Sequence, residues 1–292
     1  MQRRIDLQGH RGARGLFPEN TLEGFAATLA IGVDTVELDV ALTADGVAVV
    51  THDAVLNPDL TRRPEGAWLT APGPAVRALT LDAVRRYDVG RLRPGGRYGR
   101  QFPRQQPRDG ARIPTLAEVL ALLLPAGVRV EAELKTSIDR PELTASPAEA
   151  AEAVVAAAAA AGALPLLGVR SFDWRGPRHL RRQHPEVPLT WLTPDDGNAR
   201  GRPQEIAAEA AAGPPVGWTA VWAPAHRSLT EASLAEAHAL GLRVVPWTVN
   251  ARDDMARLIA WGVDGLCTDV PDVARAVMSA AGLAPPLPFS GA

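Results

Sequence analysis

The two histidines of the first 52 residues, and a pair of carboxylates between them, each lie in or beside a strand-like run. They are His10 in Gly9-His10-Arg11-Gly12, Glu37 and Asp39 in Val36-Glu37-Leu38-Asp39-Val40, and His52 in Val49-Val50-Thr51-His52. Two imidazoles can supply an acid and a base near neutral pH. Carboxylates at i and i+2 of a strand share one face, a start on the oxygen ligands of a hard divalent cation. A third acid, Glu133, ends the run Val130-Glu131-Ala132-Glu133-Leu134-Lys135. Three carboxylates brought together resist ionising unless a cation compensates them. An all-oxygen set favours Mg2+ or Ca2+ over zinc.

Arg11 and Lys135 would add positive charge beside that cation and bind the non-bridging oxygens of a phosphate. His10 and His52 would flank the same phosphorus, one taking the nucleophile's proton and the other protonating the leaving oxygen. Glu19, in Phe17-Pro18-Glu19-Asn20-Thr21, stands directly before a helix-like run whose N-cap is Asn20 or Thr21. It would orient Arg11 or His10, a reading preferred over a further metal ligand because the strand-end acids already suffice. Trp247 either walls the pocket, against a substrate alcohol or a choline-like cation, or belongs to the core. Glu131 is an outer acid or the partner of an arginine. His179, His184, His226 and His238 are read as structural.

The elements that must carry these residues alternate along the chain. Strand-type runs cover 4–9, 35–41, 128–134, 165–171, 188–193, 219–223, 243–249 and 264–268. Helix-type runs cover 21–31, 115–124, 148–161, 175–183, 203–211, 230–240 and 252–261. This is the pattern of an α/β TIM (β/α)8 barrel, with a doubly wound open sheet as the alternative. No Gly-x-Gly-x-x-Gly follows the first run, which weakens a dinucleotide site. A barrel gathers its active site at the carboxyl ends of its strands, where His10, Glu37, Asp39, Glu133, Lys135, Trp247 and Asn250 all fall. Residues 47–51 form a further strand, joined to the second by only Thr43-Ala44-Asp45-Gly46; that is too short for a parallel crossover and predicts an antiparallel hairpin. Residues 53–112 read as an insertion above the barrel, with one helix near 80–87, inside a single domain spanning 1–292.

Composition narrows the classes. The 292 residues are 46% apolar with a formal net charge of −2, which suits a large core and gives no footprint for nucleic acid. Arginines crowd 85–112, but Asp82, Asp88 and Asp109 interleave with them. Cys267 is the sole cysteine and reads as a small core residue. Met1 to Asp6 lacks the apolar stretch of a secretory signal, so a cytoplasmic location is expected, or a periplasmic one had a signal been cleaved. The alanine-rich stretch 148–169 reads as helix, turn and strand, without stable membrane insertion.

Taken in order, these motifs resemble the glycerophosphodiester phosphodiesterases. The resemblance runs through Gly9-His10-Arg11-Gly12, Pro18-Glu19-Asn20-Thr21, Glu37-Leu38-Asp39-Val40, Thr43-Ala44-Asp45-Gly46 leading to His52-Asp53, and Glu133-Leu134-Lys135. It continues in Ser171-Phe172, Trp247-Thr248-Val249-Asn250, and Gly262-Val263-Asp264-Gly265 with Thr268-Asp269 and Pro271. It implies a TIM barrel with a small insertion that hydrolyses a glycerophosphodiester to glycerol 3-phosphate and an alcohol. His10 and His52 would be the acid–base pair, Glu37, Asp39 and Glu133 the ligands of one divalent cation, and Arg11 and Lys135 the phosphate clamp. It also implies that the substrate's glycerol 2-hydroxyl is the first nucleophile, through a cyclic phosphate. Glu131 departs from the family, which often has Asn there. Two other readings stay open: a lysophospholipase D-like or other related phosphodiesterase, with Leu56, Leu60, Trp68 and Leu69 forming an acyl channel or a minor core, and a non-catalytic binder of phosphorylated polyols. The alcohol moiety, the choice of metal, the oligomeric state, and which histidine is base in which step are not legible.

Overall fold

The computed structural model describes residues 4–195, 202–289 and 291. Eight parallel strands follow one another around a barrel. In chain order they are β1 (Asp6–Gly9), β2 (Thr35–Leu42), β4 (Arg129–Leu134), β5 (Leu167–Ser171), β6 (Leu189–Thr193), β7 (Val221–Pro224), β8 (Arg243–Val244) and β9 (Gly265–Thr268); β3 (Ala48–Val50) lies off this path. Each pairs with its neighbour, and β1 pairs with β9. The remaining seam is closed by backbone bonds from Asp264 N–H to Val244 O, Cys267 N–H to Pro246 O and Val249 N–H to Cys267 O, at 2.9, 3.1 and 2.9 Å. The sequence run 243–249 gives only a two-residue ladder strand because Pro246 has no N–H to contribute.

The two faces of each strand divide the labour. On β2, Val36, Leu38, Val40 and Leu42 join the buried apolar layer under the helices, while Thr35, Glu37 and Asp39 take the alternate face. Full burial of a side chain such as Leu38 stabilises the fold by about 1.5–3 kcal/mol. Towards the amino ends of the strands the inner face holds a polar chain. Arg170 donates to Gln8, Gln8 to Asp6, and Asp6 also accepts from Thr35 and forms an ion pair with Arg129.

The helices fall where the periodicity placed them, within a residue or two at each end. Thr21, not Asn20, caps the first helix (Leu22–Ile31), accepting from Gly24 N–H. The alanine-rich stretch starts at a Ser146–Glu149 capping box, runs as a helix over Pro147–Ala160, breaks at the left-handed Gly162 and resumes as β5. A final helix, Pro271–Ala280, was not anticipated. It opens on a proline at its first position and buries Ala274, Val277 and Met278.

β3 pairs antiparallel with β2, Val50 opposite Val40. Thr51 N–H then bonds to Asp39 O at 2.9 Å. The hairpin therefore returns the chain to the level of the strand carboxylates, which is what sets the place of His52. Beyond it, residues 53–112 build more order than their composition suggested. There are short helices at Leu81–Val84 and Arg97–Gln101, isolated bridges, and a satellite core of Leu56, Leu69, Val76 and Val84 packed with Ala41, Val49 and Ile113. Leu56 and Leu69 thus belong to this minor core.

Candidate active site

Gly9-His10-Arg11-Gly12 turns sharply off the end of β1. A Cβ on Gly9 would lie 2.3 Å from the Gly12 carbonyl oxygen, and Gly12 itself takes φ +84°. The turn leaves Arg11 left-handed (φ 51°) and aims its N–H at Glu37 Oε2, 2.9 Å away. His10 stands beside it, its Nε2 3.9 Å from Glu37 Oε2 and its Nδ1 2.6 Å from Asp269 Oδ1, at the end of β9. Asp269 is fully buried and is also held by Arg14 Nε (2.8 Å) and Asn250 Nδ2 (2.7 Å). Burial alone would raise its pKa, but His10, Arg14 and Asn250 hold it below the usual carboxylate range. It is therefore an ionised acceptor, so His10 Nδ1 carries the proton and Nε2 is left with its lone pair. Burial, opposed by Asp269 and aided by Arg14, pushes the His10 pKa down to about 4.

His52 repeats the arrangement across the carboxylates. Its Nδ1 lies 2.7 Å from Asp53 Oδ1, and Asp53 is braced by Asn57 Nδ2 at 2.6 Å. Burial works against ionised Asp53, but the His52 and Asn57 bonds keep it below the ordinary range. His52 also lies within electrostatic reach of Asp39.

Between the imidazoles, Glu37, Asp39 and Glu133 converge from β2 and β4, where Asp39 pairs in register with Glu133. One oxygen or more from each lies within 4.8 Å of the others. Cation–oxygen bonds of about 2.1–2.6 Å place opposed ligands about that far apart. Two further observations fit a cation. Asp39 Oδ1 is buried without a hydrogen-bond partner. Burial, then the charge of Asp39, push the Glu37 pKa upward, the behaviour of an acid awaiting a counter-ion. Asp39 goes the other way: burial opposes its ionisation, but Arg11, His52 and Lys135 overcome it.

The cations are already engaged. Arg11 Nη1 donates to Glu19 Oε1 at 2.8 Å and its Nε lies 3.1 Å from Asp39 Oδ2. Glu19 thus touches Arg11 rather than the carboxylate cluster. Lys135 Nζ donates to Glu133 Oε1 at 2.7 Å and stands 3.6 Å from Asp39 Oδ1. Trp247 is partly exposed; its Nε1 donates to Ala223 O, and its ring meets Phe172 edge-on at 5.1 Å. Glu131 faces Arg170, and Gly168 leaves room for it, since a Cβ there would lie 2.5 Å from Glu131 Oε1. The glutamate that departs from the resemblance is thus matched by a buried arginine.

Comparison with known proteins agrees with this geometry. The profile of the glycerophosphoryl diester phosphodiesterase family matches residues 10–273. The chain belongs to that family. A glycerophosphodiester phosphodiesterase of Caldanaerobacter subterraneus is 29% identical over 264 residues, 90% of this chain and 93% of the relative. Among solved structures, a Silicibacter pomeroyi protein assigned to the glycerophosphoryl diester phosphodiesterases superposes with a TM-score of 0.88 at 38% identity, over 97% of both chains. An Oleispira antarctica phosphodiesterase, in complex with its product sn-glycerol-3-phosphate, shares the fold at TM-score 0.73 and 21% identity, over 94% of this chain and 96% of that one. This phosphodiesterase accordingly has the nearly closed parallel barrel expected of it.

Asp53, Asn250 and Asp269 stood in the sequence motifs without a role, and Arg170 was not singled out at all; all four act through others. Asp269 and Asp53 orient the histidines, Asn250 braces Asp269, and Arg170 stands beneath the acids. Asp269 carried a signal: it follows Cys267 by two on the inner face of the last strand. Arg170 carried none, being one arginine among many.

Proposed function

We propose that the chain hydrolyses glycerophosphodiesters to glycerol 3-phosphate and an alcohol, with His10 and His52 as the acid–base pair. The observation that carries this is the symmetry about the carboxylates: each imidazole gives its Nδ1–H to an ionised aspartate and keeps Nε2 for substrate. The product complex of the Oleispira relative supports glycerol 3-phosphate as the product.

Glu37, Asp39 and Glu133 would hold one divalent cation, Mg2+ or Ca2+, which would offset charge developing on the phosphate. Arg11 and Lys135 take the non-bridging oxygens, and Glu19 keeps Arg11 in place. His10, uncharged by virtue of its burial, accepts the proton of the glycerol 2-hydroxyl as that oxygen bonds to phosphorus. His52 protonates the departing alcohol, leaving a cyclic phosphate. The roles then reverse: His52 takes a proton from water, and His10 returns one to the 2-oxygen as the ring opens. Trp247 and Phe172 wall the side where the alcohol leaves. The domain works as one unit over 1–292, with 53–112 shaping the mouth of the pocket. No helix among the described residues is long and apolar enough to cross a membrane.

The test is glycerol 3-phosphate release from glycerophosphocholine, in EDTA and then with Mg2+ or Ca2+ restored. Metal-restored release is expected, and no release with either metal overturns the proposal. A diester lacking the 2-hydroxyl should bind and resist cleavage; its turnover at the normal rate would remove the cyclic intermediate.

A further inference from the structure

Arg11 and Asn20 are the two non-glycine residues with positive φ among those described, at 51° and 55°, and they bound the loop that carries Arg14 and Glu19. Left-handed backbone at such positions costs about 1–3 kcal/mol each and persists only where the surroundings over-determine it. The barrel fixes the two ends, Arg11 N–H bonding to Glu37 Oε2 and Asn20 Nδ2 to Asp39 Oδ2, each at 2.9 Å; the insertion holds the loop between them. Arg14 is 9% exposed, and its guanidinium carbon lies 4.8 Å over the Phe102 ring and 5.8 Å over Tyr98. Gln105 Nε2 donates to Arg14 O and Gln106 N–H to Leu16 O, both at 2.7 Å, and Arg108 covers Phe17 at 5.2 Å. The segment 98–108 therefore clamps this loop on three of its residues, Arg14 through both its side chain and its backbone.

On its other side, Arg14 touches both catalytic arms. Its Nε donates to Asp269 Oδ1, the same oxygen that accepts from His10 Nδ1, and its Nη1 lies 3.7 Å from Glu19 Oε2, whose second oxygen holds Arg11. We propose that Arg14 is a positioning residue through which the insertion sets the orientation of His10 and Arg11. Phe102 and Tyr98 hold the guanidinium plane, the plane fixes Asp269 and Glu19, and these fix the imidazole and the phosphate-binding arginine. The insertion then governs turnover by aligning the centre, in addition to lining the approach to it.

The kinetic consequence rests on the hydrolytic reading above; the spectroscopic one does not. Arg14→Lys keeps the charge but loses the planar fork and its stacking. It should lower kcat by roughly 10- to 100-fold with KM changed less than about threefold, as misaligned catalytic groups do. Phe102→Leu touches neither Asp269 nor His10, and should lower kcat by about fivefold, the loss of one cation–π contact. Because both act on one path, the double variant should match Arg14→Lys alone. In the full-length metal-free protein, NMR should show the His10 Nδ1 proton as a slowly exchanging resonance, identified by its loss in His10→Gln. It should weaken or shift in Arg14→Lys and in Phe102→Leu. Multiplying kinetic effects, or a resonance unchanged in the variants, overturns the proposal. Should Arg14→Lys not fold, the Phe102→Leu spectrum decides alone. Absence of turnover in the wild type refutes the hydrolytic reading and leaves the NMR arm standing.

Discussion

Replacing Asp269 with Asn tests the orientation of His10 more sharply than removing the histidine. Oδ1 of Asp269 accepts from His10 Nδ1 and Arg14 Nε, and Oδ2 accepts from Asn250 Nδ2. An asparagine amide must therefore set its NH2 against at least one donor in either orientation. Asn250 cannot turn to relieve this, because its own Oδ1 accepts from Thr268 Oγ1 and from the Asp269 N–H. Leaving buried charged partners unpaired costs about 3–5 kcal/mol of stability. For activity, an amide donating to His10 Nδ1 moves the ring proton to Nε2, where the base should be. The same swap in a serine hydrolase's His–Asp pair costs about 10⁴ in kcat, and a loss of roughly 10³–10⁴ is expected here, with KM little changed. The direction of the pKa effect separates this cause from a simpler one. Asp269 raises the His10 pKa against burial, so its removal lowers that pKa further. His10 then stays uncharged throughout an assay between pH 6 and 9, and raising the pH restores nothing. Glycerol 3-phosphate release by the folded variant at saturating cation is the measurement. Turnover within about threefold of wild type, or recovery at high pH, would falsify the orienting role.

His10→Ala and His52→Ala should each lower kcat by about 10²–10⁴ with folding intact; wild-type turnover by either disposes of the two-histidine mechanism. In the absence of metal, the unfolded chain gains a proton at His10 near pH 6.5 while the folded chain resists to about pH 4. Stability contributed by this group is thus present above pH 6.5 and lost as pH falls toward 4, by about 3 kcal/mol in all. The raised Glu37 pKa tilts the curve the opposite way, so the urea-melt difference between wild type and His10→Asn is the quantity to follow. A difference that does not vary with pH in that window would exclude the assigned shift. Because Glu37 holds its proton when no cation is bound, metal binding at pH 7 should release about one proton, seen by calorimetry in two buffers of different ionisation enthalpy. Glu37→Gln should weaken binding and abolish the release; equal apparent enthalpies in the two buffers for wild type would count against Glu37 as a ligand.

What was legible in the sequence divides along one physical line. Glu37, Asp39, Glu133 and Lys135 project from strands of period two, so their faces and their heights on the barrel could be read before any contact was known. His10 and Arg11 lie in a glycine-framed turn directly off a strand and were equally visible. The seven anticipated helices announced themselves by periodicity, four of them also by a side-chain cap; the unanticipated one after β9 is as long as most of these and opens on a proline without such a cap. What was hidden is the set of residues that hold others still. Asp269 reaches His10 across 259 residues of chain, and Arg170 reaches Gln8 across 162; neither pairing leaves a spacing to recognise. The insertion was hidden for another reason. Its order comes from a small core and from arginine contacts instead of from regular elements, and composition rich in Pro, Gly and Arg looks the same whether such contacts form or not. Yet the loop it grips contains two left-handed residues that both reach the centre, Arg11 through Glu37 and Glu19, and Asn20 through its Nδ2 bond to Asp39 Oδ2. A site of this kind, with three acids crowded at a barrel mouth and two imidazoles trained on them, requires that alignment be enforced from outside the strands. The insertion is the element placed to enforce it.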